Sequence, residues 1–81
     1  MDQMQQDILD FVREEYLEDD RVLTPQTRLI SSGIVDSFSM ASLKVFLEHK
    51  YSLRIPDERA TAQAFDSAET ISELVRELSG E

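Results

Sequence analysis

The chain of 81 residues has no cysteine and no tryptophan, two glycines, two prolines and a single histidine. Without cysteine there is no disulfide framework and no thiolate metal site, and any thiol chemistry has to be imported. So few glycines and prolines fit neither a disordered tail nor a many-turned β-sandwich. No apolar run approaches the ~20 residues of a membrane span. The opening Met1-Asp2-Gln3-Met4-Gln5-Gln6-Asp7 lacks the basic start and apolar stretch of a signal peptide. Basic residues are scarce as well: 8 Lys and Arg stand against 17 Asp and Glu, for a net charge of −9. That balance argues against nucleic acid or an anionic membrane surface as partner. A basic protein surface is its natural complement, although acidity also serves simply to keep a small domain soluble. The expectation is a soluble, cytoplasmic, monomeric single domain.

What is present is 41% apolar and 31% charged residues, the mixture of a compact all-α domain with one modest core. From about Asp2 to Leu17, Met4, Ile8, Leu9, Phe11, Val12 and Tyr16 recur at helical spacing. Asp2 is placed to cap this helix, and the acidic run Glu18-Asp19-Asp20 opposes the negative end of its dipole and ends it. A long connection to Asp36 follows, with a Thr24-Pro25 turn signal and with Leu23, Leu29, Ile34 and Val35 available to pin it to the core. A second helix is predicted from about Ser37 to Tyr51. Pro56 then breaks the pattern, a short third helix is expected within Ala60–Phe65, and Asp66-Ser67-Ala68-Glu69 has the form of a capping box with Asp66 as cap. Behind it Ala68, Ile71, Leu74, Val75 and Leu78 share one face, and Gly80 closes the helix.

The stretch around which the rest is arranged is Gly33-Ile34-Val35-Asp36-Ser37-Phe38-Ser39-Met40. It marks a loop-to-helix junction, and Asp36, Ser37 and Ser39 are three candidate caps where one suffices. A hydroxyl held at that corner is exposed, and a phosphate placed on it would face the positive end of the helix dipole. The second helix is apolar on two sides: Leu43, Phe46, Leu47 and Tyr51 lie on one, with Phe38, Ala41 and Val45 roughly opposite. Both stripes serve as core if the helix is central; alternatively the second docks a partner or shelters cargo. The lone His49 reads as a surface residue near a helix end and is assigned no chemistry.

Gly33-x-x-Asp36-Ser37-Phe38 resembles the attachment motif of acyl carrier proteins. The long first loop, the Ile55-Pro56-Asp57 segment after the aromatic Tyr51, and Phe65-Asp66-Ser67 with the later Ile71 extend the resemblance over nearly the whole chain. The resemblance implies an acyl-carrier-like four-helix bundle with a long first loop and a short third helix. It implies that Ser37 carries 4'-phosphopantetheine as a covalent cofactor, with Asp36 helping to orient a metal ion during transfer. It further implies that the chain is not itself an enzyme but the substrate of a phosphopantetheinyl transferase. The arm's thiol would hold acyl intermediates as thioesters for an acyl ligase or synthetase and for the acyltransferase or synthase enzymes of fatty acid, lipid or polyketide-type synthesis. Phe38 and Val45 match positions that the family uses for partner contact, and Ala41 lies between them. The second helix departs from the family's acidic pattern: Ser39, Met40, Ser42, Lys44, His49 and Lys50 leave Glu48 as its only acid. An aminoacyl or peptidyl carrier fits this helix as well, and an unmodified helical interaction module is the reading from a different class.

Overall fold

The computed structural model describes residues 2–17 and 21–80. Helix α1 runs Gln3–Tyr16, α2 runs Ser37–Tyr51 and α3 runs Ala68–Ser79. Asp2 caps α1 as expected, its Oδ1 accepting from the Gln5 amide at 2.9 Å. The acidic run Glu18-Asp19-Asp20, expected to end that helix, lies outside the described residues. Helix α2 stops at Ser52, which takes a left-handed conformation (φ 52°) and returns its N–H to the Glu48 carbonyl.

The expected four-helix count is corrected to three α-helices among the described residues. Where the short third helix was placed, residues 61–65 form hydrogen-bonded turns; the one short helical element, a single 3₁₀ turn over Asp57–Arg59, comes just before them. The physical reason is the chain's brevity between Pro56 and Asp66: nucleating a helix fixes several residues for one hydrogen bond, and an isolated turn does not recover that cost. A 3₁₀ turn begun by Pro56 does not need to propagate.

Helix α1 packs antiparallel to both α2 and α3. Along α1 and α2, Asp7 lies by Lys50 (3.8 Å), Phe11 stacks on Phe46 (ring centroids 4.0 Å apart, planes 11° apart), and the Tyr16 hydroxyl donates to the Ser39 carbonyl at 3.0 Å. Along α1 and α3, Asp2 pairs with Arg76 and Gln5 Nε2 reaches Ser72 Oγ at 3.4 Å. The core between them holds Ile8, Leu9 and Val12 of α1, Leu43 and Leu47 of α2, and Ala68, Ile71, Leu74 and Val75 of α3. Leu23, Leu29 and Val35 of the first connection and Ile55 and Phe65 of the second complete it. The described part of the long first loop is therefore core-bearing chain, pinned by its buried leucines and valine.

Among the described residues, Tyr51 is the one discord. Its hydroxyl is buried without a hydrogen-bond partner among the described residues, and burial, followed by the nearby Asp7, pushes its pKa up. Removing an unpaired buried hydroxyl removes its desolvation penalty, so Tyr51→Phe is expected to stabilise the chain by about 1 kcal/mol in urea unfolding followed by circular dichroism.

Candidate functional site

The corner that presents Ser37 is built from two stretches far apart in sequence. Asp66, expected to cap α3, does not do so. Ser67 is the cap: its Oγ accepts from the Thr70 amide at 3.2 Å and Thr70 Oγ1 accepts from the Ser67 amide at 3.3 Å, a capping box displaced by one residue. The displacement frees the Asp66 carboxylate, which turns into the first loop. There Oδ1 accepts from the Ile30 and Ser31 amides, each at 2.9 Å, and Oδ2 accepts from the Ser31 hydroxyl at 2.6 Å and the Arg28 guanidinium at 3.2 Å. As a cap Asp66 would accept from one N–H; the loop offers it four donors, two of them backbone amides.

From this clamp a short ladder of backbone bonds leads to the serine. The Leu29 amide donates to the Asp66 carbonyl (2.6 Å), the Val35 amide donates to the Leu29 carbonyl (2.9 Å), and Gly33 closes a turn onto the Ile30 carbonyl (3.1 Å). Gly33 has φ 87°, the left-handed region, while the space where a Cβ would sit is open. Glycine is required there by backbone conformation rather than by crowding. Further up the loop the Pro25 carbonyl accepts from the Glu69 amide at 3.0 Å, so the first turn of α3 also holds the Thr24-Pro25 turn.

The junction itself sorts the three candidate caps. Asp36 is the cap, its Oδ1 accepting from the Ser39 amide at 2.8 Å. That backbone N–H, followed by the Ser39 hydroxyl, lowers the Asp36 pKa, so the carboxylate is ionised at neutral pH. Ser37 is the first residue of α2 and is exposed, with its hydroxyl relieved of capping. Neither His49, farther along α2, nor any lysine stands as a base for it: Lys44 is bonded to Asp57 at 2.9 Å, which raises its pKa, and Lys50 faces Asp7. An exposed serine without a base is a weak nucleophile, so a hydroxyl in this setting is modified by an external catalyst or not at all.

Of the two apolar stripes of α2, the structure buries one. Leu43 and Leu47 are fully enclosed, with Phe46 and Tyr51 packed against the core. Phe38 is 88% exposed and Val45 51%, and Ala41 is exposed beside them. The reading of both stripes as core is thereby corrected: α2 lies at the edge of the bundle. Exposing a phenylalanine and a valine on one stripe forgoes burial worth roughly 1.5–3 kcal/mol for each side chain.

Sequence reasoning did not find Glu48 or Tyr16. Glu48, the only acid of α2, is occupied in holding the Ile55 amide at 2.8 Å, which fixes the chain leaving the helix. Tyr16 ties the end of α1 to the first turn of α2 two residues beyond Ser37. Its hydroxyl on an otherwise apolar helix face was the available signal.

No helix among the described residues is long and apolar enough to cross a membrane. No protein-family model matches the chain. Curated relatives do: the acyl carrier proteins of Rickettsia massiliae, Rickettsia prowazekii and Rickettsia canadensis are each 27% identical over 75 residues, covering 93% of this chain and 81% of the relative. The chain is thus distantly similar, along nearly its whole length, to proteins named as acyl carriers, and that similarity supports a carrier role.

Proposed function

We propose that the chain is an acyl carrier protein whose Ser37 takes a 4'-phosphopantetheine group. The observation that carries the reading is the placement of Ser37: an exposed hydroxyl at the first position of α2, released from capping by Asp36 and held on a loop that Asp66 anchors. The site fits the group. A phosphodiester on Ser37 Oγ would lie by the amide end of a helix, where its negative charge is favoured. The arm would supply a thiol, on which acyl groups are held as thioesters, to a chain that has no cysteine.

The chain's own residues position and display; they do not catalyse. Asp36 fixes the helix start and offers an exposed, ionised carboxylate beside the serine, suited to orienting a Mg²⁺ ion in the complex with a phosphopantetheinyl transferase. Phe38, Ala41 and Val45 form the face on which that transferase, and then the acyl ligase or synthetase, acyltransferase or synthase enzymes, would dock. Their exposure supports this role. The domain would act in the cytoplasm as a monomer, with fatty acid, lipid or polyketide-type synthesis as its setting.

The test is to incubate the unmodified chain with coenzyme A and a promiscuous phosphopantetheinyl transferase and weigh the intact protein. A gain of one phosphopantetheine supports the reading; an unchanged mass leaves the unmodified interaction module in its place. A second reading, an aminoacyl or peptidyl carrier, is favoured by the composition of α2, where Lys44, His49 and Lys50 outnumber Glu48. It shares the arm chemistry, and competitive loading with amino acids against fatty acids separates the two.

A further inference from the structure

The antiparallel pairing of α1 with α2 leaves an open groove of about 530 Å³ lined by Phe11 of α1 and by Ser42, Val45, Phe46, His49 and Lys50 of α2. It runs on into a second hollow of about 210 Å³, where Phe11, Phe46 and Lys50 meet Asp7, Asp10 and Glu14. The floor is the stacked Phe11–Phe46 pair, extended by the half-exposed Val45.

The two rims differ in charge. Asp7, Asp10 and Glu14 follow one another at helical spacing along α1, on the side that carries Phe11. Asp7 is balanced by Lys50 at 3.8 Å, which neutralises the end of the groove farthest from Ser37. Asp10 accepts only from Gln6 Nε2 (2.7 Å), and neither it nor Glu14 meets a cation among the described residues. Helix α2 contributes no carboxylate to the groove, because Glu48 is spent on the Ile55 amide. The Tyr16–Ser39 bond brings the Glu14 end of α1 beside the start of α2, so the unbalanced negative charge lies toward the serine.

We propose that this groove docks an amphipathic helix of a partner protein, its apolar residues on Phe11, Val45 and Phe46 and its Lys or Arg side chains on Asp10 and Glu14. The surface extends the docking face of the carrier reading and rests on that reading for its nearness to Ser37. It moves the acidic half of the recognition from α2 to α1. The apolar floor supplies affinity, and the paired charges supply orientation and encounter rate.

The test uses the unmodified, ¹⁵N-labelled chain, so that its outcome is independent of whether Ser37 can be loaded. The probe is a synthetic amphipathic peptide with leucines at i, i+4 and i+7 flanked by lysines; its partner in the comparison carries glutamates in their place. The lysine peptide is expected to shift the amides of Phe11, Ser42, Val45 and Phe46 while the glutamate peptide does not. The double variant Asp10→Asn, Glu14→Gln, both exposed positions, is expected to bind the lysine peptide about tenfold more weakly. Shifts on another face, no shifts at all, or equal affinity for the double variant would overturn the proposal. So would concentration-dependent shifts at these residues in the chain alone, which assign the groove to a second copy, or shifts there that appear only when an octanoyl group is loaded on the arm, which assign it to cargo. Mass gain on Ser37 is read separately and tests only the carrier reading.

Discussion

Ser37→Ala is expected to abolish the mass gain that is proposed for the unmodified chain with coenzyme A and a phosphopantetheinyl transferase, while leaving the stability to urea within about 0.5 kcal/mol of the parent chain. The two halves of that expectation come from the same geometry. Ser37 is exposed and Asp36 performs the capping, so the hydroxyl contributes nothing that α2 needs in order to start. Asp36→Ala makes the informative contrast. It removes the acceptor of the Ser39 amide and is expected to cost about 1 kcal/mol of stability, as lost N-caps do, with slower transfer as well if its carboxylate orients the metal. Other serines stand near the corner, Ser31, Ser32 and Ser39 among them, and Asp66-Ser67 repeats the Asp-Ser pair. Ser67 is 7% exposed and engaged with Thr70, so a mass gain that persisted in Ser37→Ala would point to Ser39 or to the loop serines, and would remove the proposed attachment site.

Asp66→Ala is expected to cost about 3 kcal/mol of stability, since it strands the Ile30 and Ser31 amides and removes the bonds from the Ser31 hydroxyl and the Arg28 guanidinium at once. For a domain of this size that lowers the melting temperature by roughly 15 °C. Asp66→Asn should cost less, because an amide oxygen still accepts from both backbone groups and only the Arg28 pairing is lost outright. The clamp also predicts a pH dependence. Burial acts to raise the Asp66 pKa, but the Ser31 hydroxyl and amide, the Arg28 guanidinium and the Ile30 amide outweigh it and lower the value from 3.8 to about 2. A group whose folded pKa is depressed stabilises the fold above its unfolded value and loses that contribution as pH falls through its folded one. The Asp66 contribution is therefore complete above about pH 4 and fades toward pH 2. Urea midpoints measured across this window should fall for the parent chain and stay flatter for Asp66→Ala.

The helices were legible wherever periodicity and a cap agreed. Asp2, Asp36 and Gly80 mark real boundaries of α1, α2 and α3, and the buried residues of all three are those that the spacing selects, except Ser72 of α3, a polar residue that is fully buried. The short third helix was not legible, because the few residues between Pro56 and Asp66 suit a turn as well as a helix and only the tertiary context decides. The role of Asp66 was hidden for a different reason. Asp66 and Ser67 are both good caps, and local sequence does not reveal which of two adjacent acceptors has a better use elsewhere. That use lies in Ile30 and Ser31, whose amides announce nothing in the sequence. The exposed stripe of α2 shows the same limit: Phe38, Ala41 and Val45 were recognised as a stripe, but whether it faced core or solvent depended on how far α2 stands from the centre of the bundle.

The ladder from Asp66 through Leu29 to Val35 ties the serine corner to a residue much nearer the other end of the chain. During synthesis α1, the loop and α2 emerge before the clamp exists. Until α3 docks, the segment leading to Ser37 lacks its anchor, and forming that anchor closes a long stretch of sequence late in folding. An enzyme that recognises Ser37 in its folded setting would thus act only on finished chains. Modification of the serine would then double as a record that the far helix is in place.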